Sequence, residues 1–289
     1  MLWILAAALA AIFSALTVIL AKCGLKKTDS DIALALRAVF IFAFAWVFVF
    51  AADSHNYIFS IAPRSWVFLV LSGVASGGSW LFYFKAISIG DMNKVSSIDK
   101  LSTVLAVILA IICFGETSNL AIKLVATAIL GCGIVLMVDF KQRQNNVKGK
   151  RWLLYAVLSS VCTALMSVFS KLGVADIEPN LATAIRSSIV LVMAWAVVFV
   201  SNKQTEIKKT EPRELLFTLL SGIATAASWV FYYYAVKHGD VSVVAPIEKL
   251  SILVVVAFSF FMFKEKISKM AFFGLSLIVS ATLVIAIFR

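Results

Sequence analysis

Two matching pairs of residues could do chemistry in this chain. Asp99-Lys100 and Glu248-Lys249 each set an acid beside a base within a long apolar run. A charge inside a membrane span costs roughly 2.5–3.5 kcal/mol on insertion scales, so it usually faces a bundle interior or a watery cavity. A carboxylate there can take up a proton or a cation, and an ammonium can hold an anionic group. Neighbours on a helix point about 100° apart, so neither acid need bond its own lysine, and a pair such as Asp99 with Lys249 is open. The competing reading is a structural ion pair, or an acid favoured by the positive end of a helix. Pro246 fits that second reading, being tolerated in a first helical turn.

Polar stripes accompany these charges. Ser72, Ser76, Ser79 and Tyr83 recur at i, i+4, i+7 and i+11, on one helix face, and Ser221, Thr225, Ser228 and Tyr232 repeat the pattern. Trp80 and Trp229 lie one residue round from each stripe. Such stripes serve either as hydrogen-bonding glue between helices or as the lining of a cavity. Gly73-xxx-Gly77 and Gly222-xxx-Ala226 support glue, because small residues at that spacing let backbones approach. Tyr233 and Tyr234, beside Tyr232, suit an interfacial aromatic belt as well.

The elements that must hold these residues follow from composition. Of 289 residues, 62% are hydrophobic and 14% charged, against about 45–50% and about 25% in a soluble domain. Apolar runs of about 18 residues or more predict ten membrane-spanning helices, near 2–22, 31–51, 66–88, 95–114, 119–139, 151–171, 181–201, 214–236, 244–263 and 269–287. Continuous runs exclude a barrel, whose strands alternate. The first run has no positive stretch before it and recurs in mid-chain, so it reads as a retained span and not a signal peptide. The expected fold is therefore an all-α polytopic membrane protein. The net charge of +11 belongs to short loops between spans, which excludes nucleic acid as a partner. Cys23, Cys113, Cys132 and Cys162 have no metal-like spacing, and the only histidines, His55 and His238, fall in loops. No metal, cofactor or enzymatic centre is expected, and no phosphate-binding Gly-x-x-x-x-Gly-Lys-Ser/Thr loop is present.

Compared with itself at an offset of 149, the chain matches without a gap. Trp3 falls on Trp152, Lys22 on Lys171, Arg37 on Arg186, Trp80 on Trp229, Tyr83 on Tyr232, Gly90-Asp91 on Gly239-Asp240, and Ile98-Asp99-Lys100-Leu101-Ser102 on Ile247-Glu248-Lys249-Leu250-Ser251. Residues 1–140 and 151–289 read as two copies of a five-helix unit joined by a basic loop, 141–150. Five is odd, so the second copy enters the membrane from the opposite face, and the halves are expected to be inverted repeats. Basic residues collect on one face, at Lys26-Lys27, Lys94, Lys141 through Arg151, Lys203 through Arg213 and Lys264 through Lys269, leaving Arg64, Lys123, Lys237 and Arg289 for the other. Because cytoplasmic loops accumulate Lys and Arg, both termini are expected on the non-cytoplasmic side of the cell membrane. Arg37 and Lys22 can then snorkel to the basic face. Arg186 and Lys171 occupy matching places near the other face, where that bias does not favour them, which suggests an inward-facing role. Glu116 and Glu265 are expected in headgroups or as caps of the next helix.

Ten spans in two inverted units, the Gly-Asp turns, the Ile-acid-Lys-Leu-Ser helix starts and the ends Phe114-Gly115-Glu116 and Phe263-Lys264-Glu265 resemble the EamA-type drug/metabolite transporters. The resemblance covers essentially the whole chain. It implies a central cavity lined by spans one, three, four, six, eight and nine, and so adds Ser14 and Thr163 to the candidates. It departs in orientation, since such proteins are often described with cytoplasmic termini. The expected function is secondary active transport of a small polar or charged metabolite by alternating access, with Asp99 and Glu248 handling protons or another coupling ion. Lys100 and Lys249 would meet an anionic group, and Trp80, Tyr83, Trp229 and Tyr232 would stack or hydrogen-bond, with Ser79, Ser228, Arg37 and Arg186 nearby. A flippase for a lipid-linked substrate is the alternative. Acids and bases balance at the Asp99-Lys100 and Glu248-Lys249 pairs, which leaves amino acids, organic cations, organic anions and nucleobase-like compounds all open. One chain holds both halves, so a monomer is enough for a pathway, and a homodimer is compatible too.

Overall fold

The structure is a computed structural model, and it describes residues 2–24, 30–89, 95, 98–136, 151–263 and 269–288. Among these residues the chain is helical and contains no strand. The helices are α1 (Leu2–Gly24), α2 (Ser30–Ala51), α3 (Pro63–Ile89), α4 (Ser102–Phe114), α5 (Leu120–Leu136), α6 (Arg151–Val174), α7 (Pro179–Val200), α8 (Pro212–His238), α9 (Val241–Lys249), α10 (Ser251–Phe263) and α11 (Lys269–Ile287). The basic connector 141–150, Lys26-Lys27, Gly90-Asp91, Lys94 and Glu265 lie outside the described residues, as do the side chains of Lys22 and Cys23.

Local chemistry explains the boundaries. Pro63, Pro179 and Pro212 open α3, α7 and α8, where a missing N–H costs nothing and a fixed φ is already helical. Gly115 ends α4 in the left-handed region at φ 63°, and its N–H reaches Ile111 O, as a C-terminal glycine cap does. Among the described residues six helices, α1, α2, α3, α6, α7 and α8, are long and apolar enough to cross a membrane, and Leu120–Leu136 and Phe272–Ile287 are shorter apolar helices. Exposed Leu154, Val192, Val200 and Phe273 give the outside of the bundle an apolar surface suited to lipid.

One expectation about the elements is corrected. The runs near 95–114 and 244–263, read from sequence as single helices, are interrupted after Lys100 and after Lys249. Leu101 N–H turns back to Ile98 O and Leu250 N–H to Ile247 O, each at 3.0 Å. These i→i−3 bonds make a tight turn within each run. Pro246 removes one ladder donor in α9, but Ser97 holds the matching place, so proline is not the shared cause. What the breaks share is position, directly after the acid–base pair.

Packing runs in exchanged pairs. α1 lies along α8 while α3 lies along α6, and α2 touches α8 while α3 touches α7. α2 also pairs with α7, and α5 with α11. Small residues permit this closeness, as expected without a hydrophobic drive between helices in lipid. A Cβ on Gly73 would sit 2.8 Å from Ile189 Cβ, and one on Gly222 would sit 2.8 Å from Phe40 Cβ. The first contact seats α3 on α7 and the second seats α8 on α2.

Candidate functional site: a central cavity with unmatched cations

These packings leave a cavity of about 270 Å³ at the middle of the bundle. α1 contributes Ser14 and Thr17, α2 Arg37, α3 Trp80, α4 Ser102 and Thr103, α6 Thr163, Met166 and Ser167, α7 Arg186, α8 Thr225, Ser228, Trp229 and Tyr232, and α9 Glu248 and Lys249. Ten of the candidate site residues read from sequence, Ser14, Arg37, Trp80, Thr163, Arg186, Ser228, Trp229, Tyr232, Glu248 and Lys249, line it together, with Thr225 of the second polar stripe beside them. Thr17, Met166 and Ser167 were missed, although they lie three or four residues from Ser14 and Thr163 and so share their helix faces.

The α3 stripe serves as glue, and the α8 stripe serves both as glue and as lining. Ser79 bonds Thr163 Oγ1 at 2.6 Å and Ser159 Oγ at 3.2 Å, joining α3 to α6. Ser72 meets Ser170 at 2.9 Å on the same seam. On α8, Ser221 donates to Thr17 O and Ser228 to Ala10 O, joining α8 to α1, while Thr225 and Ser228 also reach the cavity.

Its cations have unusual partners. The Arg37 guanidinium stands 5.3 Å from the Trp80 ring and the Arg186 guanidinium 4.1 Å from the Trp229 ring, distances at which a cation is attracted to the face of an indole. The two indoles meet with centroids 6.2 Å apart, so the arginines flank one aromatic pair. Arg186 is 3% exposed; its Nη2 donates to Ser76 Oγ at 3.0 Å and lies 2.7 Å from Met166 Sδ. Neither arginine has an ion pair among the described residues. Nε of both, with Thr103 Oγ1 and Tyr232 OH, is buried without a hydrogen-bond partner. The balance of acid and base read from sequence is therefore corrected, since Arg37 and Arg186 join Lys100 and Lys249 against only Asp99 and Glu248.

The acids are held differently from each other. Glu248 accepts from Ser14 Oγ at 3.1 Å and pairs with its own neighbour Lys249 at 2.9 Å. Asp99 lies off the cavity and accepts from Ser159 Oγ at 2.6 Å. Through Ser159 and Ser79 it is linked by hydrogen bonds to Thr163 on the cavity wall. Lys100 stands beside it, and both feel the charge of Lys249. Tyr83 does not reach the cavity and packs with Trp152 and Tyr155 around Ala86, Val95 and Ala156.

A second charged cluster lies at one end of the bundle. Glu116 Oε1 accepts from Lys171 Nζ at 2.9 Å and from Val241 N–H at 3.0 Å, and Oε2 accepts from Ser242 N–H at 2.9 Å. Lys171 also donates to Gly239 O at 2.9 Å, and Lys123 Nζ to Glu116 O at 3.1 Å. Two expectations change. Glu116 caps α9, in the other half of the chain, and not the helix that follows it. Lys123 is wholly buried and is not a loop charge. Burial alone would raise the Glu116 carboxyl, but Ser242 and the Lys171 ammonium outweigh it and hold it below its ordinary value.

Beside the centre, a larger space of about 790 Å³ lies between α2, α3 and α7. It shares Trp80 with the central cavity and is walled by the exposed side chains of Leu81 and Val200. Among the described residues no three His, Cys, Asp or Glu side chains gather as metal ligands.

Comparison with known proteins bears on what this cavity is for. The profile of the EamA-like transporter family matches residues 1–139 and again 150–287. A relative from Sinorhizobium sp, described as an uncharacterized transporter in cobO 3'region, is 39% identical over 137 residues, covering 47% of this chain and 97% of that protein. A solved crystal structure superposes with a TM-score of 0.80 over 99% of both chains at 16% identity, which speaks to the fold alone.

Proposed function

The chain belongs to the EamA-like transporter family, and from that premise we propose that this multi-pass membrane transporter is a secondary active carrier working by alternating access. Its cargo is a small polar or charged metabolite bound in the central cavity. The observation that carries this reading is the cavity itself, built from helices of both halves and bordered by the break after Lys249. Discontinuous helices at a repeat interface are where carriers place substrate and coupling-ion sites. The 149-residue sequence repeat and the exchanged packing support ten spans in two inverted five-helix units. The loop charges support both termini outside the cytoplasm, and a C-terminal reporter active only in the cytoplasm would overturn that orientation.

Energy comes from an ion gradient or from the substrate's own gradient. Glu248 in the cavity wall and Asp99, joined to it through Ser159, Ser79 and Thr163, are the coupling candidates, because a hydroxyl chain between a carboxylate and a wet cavity can pass a proton. The test is uptake of a solute panel into sealed liposomes carrying the purified protein, with and without a pH gradient. Asp99→Asn and Glu248→Gln should lower flux while leaving folding intact. Wild-type flux in both would return these acids to a structural role, and binding without flux under any gradient would defeat the carrier reading.

The lateral space that shares Trp80 with the cavity favours a second reading, a flippase for a lipid-linked substrate. In that case the same liposomes would move a headgroup-labelled lipid between leaflets and leave soluble solutes outside.

A further inference from the structure

We propose that the cargo is a small organic dianion, with its oxyanion groups taken by Arg37 and Arg186 and its carbon spacer lying against the Trp80–Trp229 pair. The assignment deepens the carrier reading and rests on it for the word cargo; as a binding site it stands alone.

Charge comes first. Around the centre stand Arg37, Lys100, Arg186 and Lys249 against Asp99 and Glu248, so two positive charges remain unmatched even with both acids ionised. The acids are already engaged, Glu248 by Lys249 and Ser14 and Asp99 by Ser159. The two arginines have aromatic faces instead of carboxylates. Burying a cation without a counter-charge is unfavourable unless something supplies one, and both of these line the cavity.

The orphaned atoms point the same way. The unpartnered buried polar atoms on the cavity wall are Arg37 Nε, Arg186 Nε, Thr103 Oγ1 and Tyr232 OH. A guanidinium Nε can only donate and a hydroxyl can donate. The wall therefore lacks acceptors, which is what a carboxylate or phosphate brings, and a guanidinium takes either as a two-pronged partner. An organic cation would add charge to a surplus of charge, and a neutral polyol would leave the two cations unmatched.

Shape limits the rest. A volume of about 270 Å³ lies just under the usual range of about 300–1,000 Å³ for ligand pockets, which suits a compound with a short carbon chain. The indole pair between the arginines gives that chain an apolar bed.

The experiment measures ligand-induced thermal stabilisation of the purified full chain in detergent, where a compound binding only the folded state raises Tm. Its probes are succinate, glycerol 3-phosphate, benzoate, choline and glycerol. Succinate or glycerol 3-phosphate should stabilise the protein, benzoate less, choline and glycerol not at all, and the stronger of the first two tells carboxylate from phosphate. Arg186→Gln should weaken that binding at least tenfold. The half-buried Arg37→Gln should do the same, and it decides the matter should Arg186→Gln misfold. Stabilisation by choline or glycerol without either dianion overturns the assignment, as does dianion binding unchanged in both variants, or no binding of either dianion at millimolar concentration. Counterflow of the same compounds in liposomes separates this inference from the carrier reading. Dianion binding without exchange defeats the carrier and leaves the site, while exchange of choline defeats the site and leaves the carrier.

Discussion

Two charged regions of this molecule are built on opposite rules. At the Glu116 cluster every charged group has a hydrogen-bond partner, since the carboxylate takes one ammonium and two backbone N–H groups, Lys171 adds the Gly239 carbonyl and Lys123 donates to the Glu116 carbonyl. In the central cavity, among the described residues, two guanidiniums have aromatic faces and no carboxylate, and four buried polar atoms have no partner. A satisfied cluster ties α6 and the α4–α5 connection to the start of α9. The unsatisfied one is where, on our proposal, the cargo supplies the match. If that proposal holds, the difference separates charges kept for the fold from charges kept for the cargo, and each should fail in its own way.

The largest effect is expected at the satisfied cluster. Removing one member of a buried ion pair strands the other and costs about 3–5 kcal/mol, and Glu116 has a side chain only 5% exposed. Glu116→Ala should therefore lower Tm in detergent more than any cavity variant does. Joining it with Lys171→Met should recover part of the loss, because the stranded ammonium is gone. If the double variant is as unstable as the sum of the singles, the cluster is not the coupled unit described here.

The cavity should answer in reverse. Arg186→Met keeps the length of the side chain and removes a buried charge that no carboxylate matches, so ligand-free Tm should stay level or rise, as when buried ions give way to apolar groups. Uptake should be lost. A fall in Tm as deep as that of Glu116→Ala would mean that Arg186 holds the fold and would erase the contrast between the regions.

Acid should separate them as well. Glu116 is held below its ordinary value of 4.5. A carboxyl lowered in the folded state adds stability that is fully present above the ordinary value and is lost as pH falls through the folded one. Tm of the wild type should therefore decline below about pH 4.5 by more than that of Glu116→Gln, which has no such carboxyl. Parallel decline in both proteins would place the sensitivity elsewhere.

Sequence patterns reached the cavity more readily than they reached the cluster. Helical spacing and the 149-residue offset pick out residues on matching faces, so Trp80 with Trp229 and Arg37 with Arg186 are found together, and ten of the candidates do line one space. The breaks at Leu101 and Leu250 were invisible because leucine is apolar and helix-favouring, so nothing in the local composition marks a turn. The partner of Glu116 was invisible for a different reason. It lies in the other half, at Lys171, Val241 and Ser242, and no periodicity within one span points across the bundle. The charge count failed in part because it weighed only the adjacent pairs and left out Arg37 and Arg186, although both were among the candidates.

The smallest expected effect tests how far the two halves have diverged. Tyr83 and Tyr232 occupy matching positions, yet Tyr232 lines the cavity with its hydroxyl unpartnered and Tyr83 packs beside Trp152 and Tyr155. Tyr232→Phe deletes one donor from the cavity wall and keeps the ring. If that donor meets the cargo, its loss removes a hydrogen bond to a charged group, of order 1.5–3 kcal/mol, less whatever water restores, so a several-fold rise in KM for uptake is expected with Tm unchanged. Tyr83→Phe should leave KM where it is. Equal shifts in both variants would mean that the two tyrosines exchange places during transport, each meeting the cargo in one state. The asymmetry between the halves would then belong to one conformation and not to the sequence.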